Sequence, residues 1–168
     1  TMYDELTAVD IQKMQEEIAY RTQVLRPKLI EDVQTARAFG DLSENFEYKC
    51  AKQEKNRNDS RIRYLERMIR TAKVIDPASQ SGVVGLFDKL VVFNEKLGRE
   101  MELQVVTTLR QDTSRGRISK ESPVGRALLG RRVGDRVLVK VGEELSYYLQ
   151  IRSLEKGEDD ASMEISRY

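Results

Sequence analysis

The stretch Gly40-Asp41-Leu42-Ser43-Glu44-Asn45-Phe46-Glu47-Tyr48 constrains the fold most, because it separates two helical patterns of about equal length. In the second pattern Tyr48, Ala51, Lys55, Asn58, Ile62, Leu65, Ile69 and Ala72 step alternately by three and four, the spacing of a coiled-coil seam. Lys55 and Asn58 weaken that seam midway. In the first pattern Ile11, Met14, Ile18, Leu25, Leu29, Val33 and Ala36 follow similar steps, with one extra step of four near Thr22. Such a stutter locally unwinds a supercoil. About 29 residues per arm, at roughly 1.5 Å rise each, make a rod of about 43 Å. Equal arms and a short connection predict an antiparallel coiled-coil hairpin. Pro27 lies inside the first arm and either kinks it or resets its register, or else opens a new helix. Both versions keep the hairpin.

At the turn, Gly40 suits a left-handed residue just past the first helix, and Asp41 then starts the second. Asp41-x-x-Glu44 reads as a capping box, the bland account of both carboxylates. The charge pattern offers another. Residues 41 to 47 carry Asp41, Glu44 and Glu47 with no base, whereas residues 49 to 73 carry nine Lys or Arg against three acids. Lys49, Lys52, Asn56, Ser60, Arg63, Arg67 and Arg70 recur at helical spacing as a basic and polar stripe. A solvated face is the ordinary meaning of such a stripe. Beside an acidic tip it also fits a nucleic-acid backbone leading to a metal-dependent centre.

After Asp76 the pattern stops in the turn-rich stretch 77–82, a domain linker. Short β-branched runs follow at Lys89 to Asn94, Arg99 to Thr107, Arg136 to Val141 and Leu145 to Leu154. One short helix fits Pro123 to Leu129, with Ser122 as its N-cap. The expected organisation is a helical hairpin over 1–76, the linker, a compact α+β domain over 83–155, and an acidic flexible tail over 156–168. With no histidine and a single cysteine, Cys50, His-ligated metals, histidine-based triads and internal disulfides are excluded. Cys50 itself reads as a small, at least half-buried helix residue. No run of 18 apolar residues and no signal-peptide pattern is visible, so a soluble, cytoplasmic, membrane-free protein is expected.

Gly40-Asp41-Leu42-Ser43-Glu44-Asn45-x-Glu47-Tyr48 resembles the tip motif of the bacterial Gre transcript-cleavage factors. Ala72 to Asp76 is similar to the end of their coiled coil, and Ile118-Ser119-x-x-Ser122-Pro123-Val124-x-Arg126-Ala127-Leu128-Leu129-Gly130 to part of their C-terminal domain. The likeness runs over about residues 5 to 155 and is closest to the GreA branch. It implies an FK506-binding-protein-like (FKBP-like) fold for the C-terminal domain. It also implies a monomeric, non-enzymatic elongation factor whose hairpin enters the secondary channel of bacterial RNA polymerase. There it would stimulate the polymerase's own cleavage of backtracked RNA, whose 3′ end is extruded into that channel. The resemblance assigns Asp41 and Glu44 to metal and water positioning, with Mg²⁺ shared with the polymerase and no cofactor of the chain's own. Asn45, Phe46 and Tyr48 would support the tip, Arg37, Lys49 and Lys52 would guide RNA, and Glu121, Ser122 and Pro123 would dock on polymerase.

Ser43 and Phe46 depart from the common tip pattern, Ser43 replacing a frequent basic residue and Phe46 a frequent small one. Phe46 either stacks on a base, packs on polymerase, or seals the hairpin end. Three other readings remain: an inhibitory channel-binding homologue without cleavage, a prolyl isomerase on the C-terminal domain, and an adaptor with an inert tip. Retention of Asp41 and Glu44 speaks against the first, and the few aromatics of residues 83–154 against the second.

Overall fold

A computed structural model describes residues 5–40, 45–77 and 80–167. The chain divides into two compact units: a helical one, Ile11–Ala72, and a second that joins the chain's start, through Asp10, to everything from Lys73 onward.

The helical unit is the expected hairpin. Helix α1 (Ala8–Tyr20) runs through a π-helical turn, Arg21–Leu25, into α2 (Arg26–Arg37), and α3 (Phe46–Thr71) returns beside it. Asn58, Ile62 and Leu65 of the predicted seam are buried, and Tyr48, Ala51, Lys55, Ile69 and Ala72 are half-buried. The stutter is real and takes the form of the π turn. Arg26 donates its backbone N–H to the carbonyl of Arg21, five residues back, immediately before Pro27, which has no N–H to give. The helix therefore continues through Pro27 with its register reset. Arg21, rather than Thr22, is the half-buried residue at this point.

Asn58 is only 3% exposed and meets that irregularity from the opposite arm. Its amide donates to the Arg21 carbonyl at 3.1 Å, and its own carbonyl accepts from Arg21 Nη1 at 2.9 Å. Beside it, Glu17 accepts from Arg21 at 2.8 Å and from the buried Arg61 at 2.7 and 3.2 Å. Burial pushes the Glu17 carboxyl up, but the hydrogen bonds and charges of Arg61 and Arg21 outweigh it and hold the group below its ordinary value. The seam's polar middle is thus a satisfied cross-arm network.

In the second unit, β3 (Lys89–Asn94), β4 (Arg99–Val106), β5 (Arg117–Ser119), β6 (Arg136–Val141) and β7 (Leu145–Glu155) form one sheet in the order β5-β4-β3-β7-β6. All neighbours are antiparallel except β4 and β5. A bulge between Val91 and Val92 shifts the β3–β7 register, so Ser153 and Ile151 are their partners. Val92, Val105, Val139, Leu149 and Ile151 fill the core with Leu128 of the short helix α4 (Pro123–Leu128). This is the α+β composition read from the sequence. The chain's start belongs here too, since β1 (Glu5–Leu6) pairs in parallel with β2 (Lys73–Val74). The helical unit is accordingly shorter at both ends than the predicted 1–76.

The expected flexible tail is corrected. Thr7 and Asp10 cap the start of α1 reciprocally, Asp10 N–H donating to the Thr7 hydroxyl and Thr7 N–H to the Asp10 carboxylate. Asp10 Oδ1 also lies 2.8 Å from Nε of Arg110, and both side chains are fully buried. Arg110 reaches the tail as well, donating to the Asp159 carboxylate at 2.9 Å and the Asp160 carbonyl at 3.1 Å. Asp88, also wholly buried, accepts from Lys156 and from the Gly157 N–H, and Met163 packs on Phe87 and Val106. Polar anchors hold a segment whose apolar content is too low to announce packing.

Arg110→Met should cost about 3–5 kcal/mol, because it strands Asp10 and Asp159 as buried uncompensated charges; chemical denaturation of the two proteins measures the difference. Glu17 generates a pH dependence. Its folded-state pKa lies below the unfolded value of about 4.3. Its contribution is therefore complete above that pH and lost as pH falls through the folded-state value. Glu17→Gln should flatten the acid limb of thermal midpoint against pH and lower the midpoint at pH 7.

Candidate functional site at the hairpin end

Helix α2 gives out at Arg37, and Gly40 follows at φ +124°, a positive angle at which a side chain would be strained. The second helix begins four residues later than expected, with Phe46 as its first residue. Its N-cap is Asn45, extended at φ −83° and ψ 97°, whose side-chain oxygen accepts from the Tyr48 N–H at 2.9 Å. The other end of the same amide donates to the Ala36 carbonyl at 2.7 Å. One side chain thus caps the start of α3 and adds a bond to a carbonyl at the end of α2, joining the two helix termini. The cap expected of Asp41 is performed by Asn45. Asp41 and Glu44 lie outside the described residues.

Tyr48 is held by cations. Arg37 Nη2 donates to its hydroxyl at 3.4 Å, and the Arg37 guanidinium and Lys52 ammonium lie 5.5 and 6.0 Å from its ring centre. The Arg37 hydrogen bond draws the phenol below its ordinary pKa; burial opposes this, and the Lys52 and Arg37 charges add to the lowering. The structure therefore brings Arg37, Asn45, Tyr48 and Lys52 together. Lys49, Lys52, Asn56, Ser60, Arg63, Arg67 and Arg70 are all exposed along α3. Among the described residues none of the five cations in that row is in an ion pair, whereas Lys55 and Arg57 on the same helix are paired.

Three side chains differ from expectation. Phe46 is 75% exposed, so its ring does not seal the hairpin end. Phe39, assigned no role from the sequence, is 71% exposed on the other side of the turn. Its signal was available, as a large apolar residue beside a glycine turn and off the seam spacing. Cys50 is exposed rather than half-buried, because it lies one step off the seam.

At the sheet unit the second candidate set is formed locally. Ser122 caps α4 by accepting from the Gly125 N–H at 3.1 Å and donates to the Ser119 carbonyl at 2.6 Å. Pro123 occupies the first turn. Glu121 is exposed, 3.6 Å from Lys120, which also pairs with Glu5. Ser122 is therefore committed to local structure, leaving Glu121 and Pro123 as surface groups. Gly125 permits the close approach, since a Cβ there would stand 2.1 Å from the Ser119 carbonyl oxygen. Among the described residues no cluster of acids and cysteine fit to hold a metal is found, and no helix is long and apolar enough to cross a membrane.

A cationic helical hairpin joined to a sheet unit defines a class that the comparisons specify. The family model for the N-terminal domain of GreA and GreB transcription elongation factors matches residues 5–74, and that for their C-terminal domain matches residues 79–156. The chain belongs to the GreA/GreB transcription elongation factor family. The GreA of Thermoanaerobacter pseudethanolicus is 42% identical over 137 residues, covering 81% of this chain and 87% of that protein. The GreA of Bacillus subtilis is 40% identical over 149 residues, covering 87% and 94%. Among solved structures, the transcription factor Gfh1 is 23% identical with a TM-score of 0.46, covering 92% of this chain and 98% of that one, a likeness too loose to bear on function.

Asn45→Ala should lower hairpin stability by about 1–2 kcal/mol through loss of both bonds. Asn45→Asp keeps the cap, loses only the donor to Ala36, and should cost less. Helical circular dichroism during urea unfolding separates them, and equal losses would assign the whole effect to the Ala36 bond.

Proposed function

We propose that this elongation factor binds bacterial RNA polymerase, presents its hairpin tip to the polymerase's catalytic centre, and stimulates the polymerase's own cleavage of backtracked RNA. The observation that carries the reading is the row of exposed cations along α3, none of them in an ion pair among the described residues, leading to the acidic turn, in a chain of this family. A polyanion fits such a row, and Arg37, Lys49 and Lys52 would guide the extruded RNA strand over its last stretch.

Asp41 and Glu44 offer hard carboxylate oxygens, the donor type Mg²⁺ prefers, and two of them suit an ion whose remaining ligands come from elsewhere. Mg²⁺ bound there would supply charge stabilisation and an activated water for phosphodiester hydrolysis. Asn45 and Tyr48 act as positioning residues: the first ties the two helix ends together, and the second holds Arg37 and Lys52 beside the turn. Glu121 and Pro123 offer the surface through which the sheet unit docks. The relatives' names support an elongation factor over an inhibitory channel-binding homologue.

The test uses stalled, backtracked bacterial elongation complexes with Mg²⁺, comparing the protein with Asp41→Asn/Glu44→Gln after confirming that both bind polymerase. The expected outcome is release of a short 3′ RNA fragment with the unmodified protein alone. Binding by both without cleavage by either, together with slowed nucleotide addition, would replace this reading with the inhibitory one.

A further inference from the structure

Phe39 and Phe46 are the two most exposed large apolar side chains described, at 71% and 75%. They flank one turn. Phe39 donates its N–H to the carbonyl of Ala36, the same carbonyl that accepts from Asn45, and Phe46 is the residue after Asn45. Asn45 therefore ties both sides of the turn to one oxygen, which Phe39 meets through its own N–H and Phe46 adjoins as the residue after Asn45. Among the described residues neither ring meets an aromatic or cationic partner, although Arg37, Lys49 and Lys52 stand close in sequence and Tyr48 engages two of those cations.

Exposed aromatic faces beside exposed cations are the two components of single-strand nucleic-acid recognition: stacking of bases and attraction of the phosphate backbone. An apolar pocket in a protein partner would want the rings without the surrounding positive charge, because each cation would have to be desolvated at its rim. We infer that Phe39 and Phe46 form a stacking platform for the terminal nucleobase of single-stranded RNA, with Arg37, Lys49 and Lys52 taking the adjoining phosphates. The inference rests on the proposed function for the origin of that RNA, the extruded 3′ end, and makes the two rings specificity-determining residues that favour purines, whose larger faces stack more strongly.

The test is an RNA carrying 2-aminopurine as its 3′-terminal base, whose fluorescence falls on stacking. It is used both as a free oligonucleotide and in backtracked polymerase complexes without Mg²⁺. Expected is quenching by the intact protein in both settings. Phe39→Leu/Phe46→Leu, apolar but without a ring, should need at least about fivefold more protein for the same quenching, and Phe39→Tyr/Phe46→Tyr should restore it. Both substitutions sit on exposed positions, and circular dichroism checks that the hairpin is intact. Equal quenching by the leucine variant, or no quenching of either RNA by the intact protein, overturns the inference. So does weaker polymerase binding by the leucine variant without loss of quenching, which would assign the rings to an apolar protein pocket. Cleavage after adding Mg²⁺ is read separately: cleavage without quenching leaves the functional reading standing and removes the platform, whereas quenching without cleavage does the reverse.

Discussion

A guanidinium with no water around it is tolerable only if its charge and its N–H groups are answered nearby, since the effective penalty for burying an ion is several kcal/mol. Arg110 is such a group, fully buried in the turn after β4. Its partners come from both extremes of the chain: Asp10 from the start of α1, Asp159 and the Asp160 carbonyl from the last residues, with the Phe87 ring 5.6 Å away. The same aspartates have second duties, Asp10 in the cap of α1 and Asp159 in accepting from the Thr7 hydroxyl. One side chain thus holds two segments far apart in sequence, around Asp10 and around Asp159, in this unit. Hydrophobic burial could not do so, because among the described residues of the final stretch Met163 alone joins the core.

Period and punctuation made much of this legible. The three-and-four spacing located the arms, Ser122 and Pro123 located α4, and alternating β-branched runs located four of the five sheet strands. The misreadings share a cause, which is that polar residues were judged by composition rather than by partner. Asn58 looked like a weak point in the seam; its amide answers a carbonyl at a π turn, an irregularity that the extra step near Thr22 announced without specifying. The cap of α3, expected of Asp41, is made by the amide of Asn45, and a reciprocal cap opens α1 at Thr7-x-x-Asp10. The final residues looked loose because carbonyl and carboxylate anchors leave no trace in hydropathy. Strands of two or three residues, such as β1, β2 and β5, are too short to carry a period.

The hairpin end is economical in the sense that little of its own stability is spent on packing. Ala36 is buried there, but Phe39, Phe46, Lys49 and Lys52 face water. The structure is held by Asn45 across the helix ends and by the seam further down the arms. A turn stabilised from beneath leaves its outward groups free to serve recognition, which agrees with the general separation of scaffold from loop chemistry. The site was only half legible for the same reason: the carboxylates and cations stand out by charge, whereas the role of an aromatic depends on whether it is covered, and sequence does not say.

The pairing of β1 with β2, and of Thr7 and Asp10 with Asp159 and Arg110, makes the sheet unit discontinuous in the chain. A polypeptide leaves the ribosome in sequence order. Residues 11–72 form the helical unit among themselves and can pair while the sheet is still being added. Residues 5–10 have no such option, because Arg110 and Asp159 are made long after them, so this segment is made before the hairpin and finds its place after it.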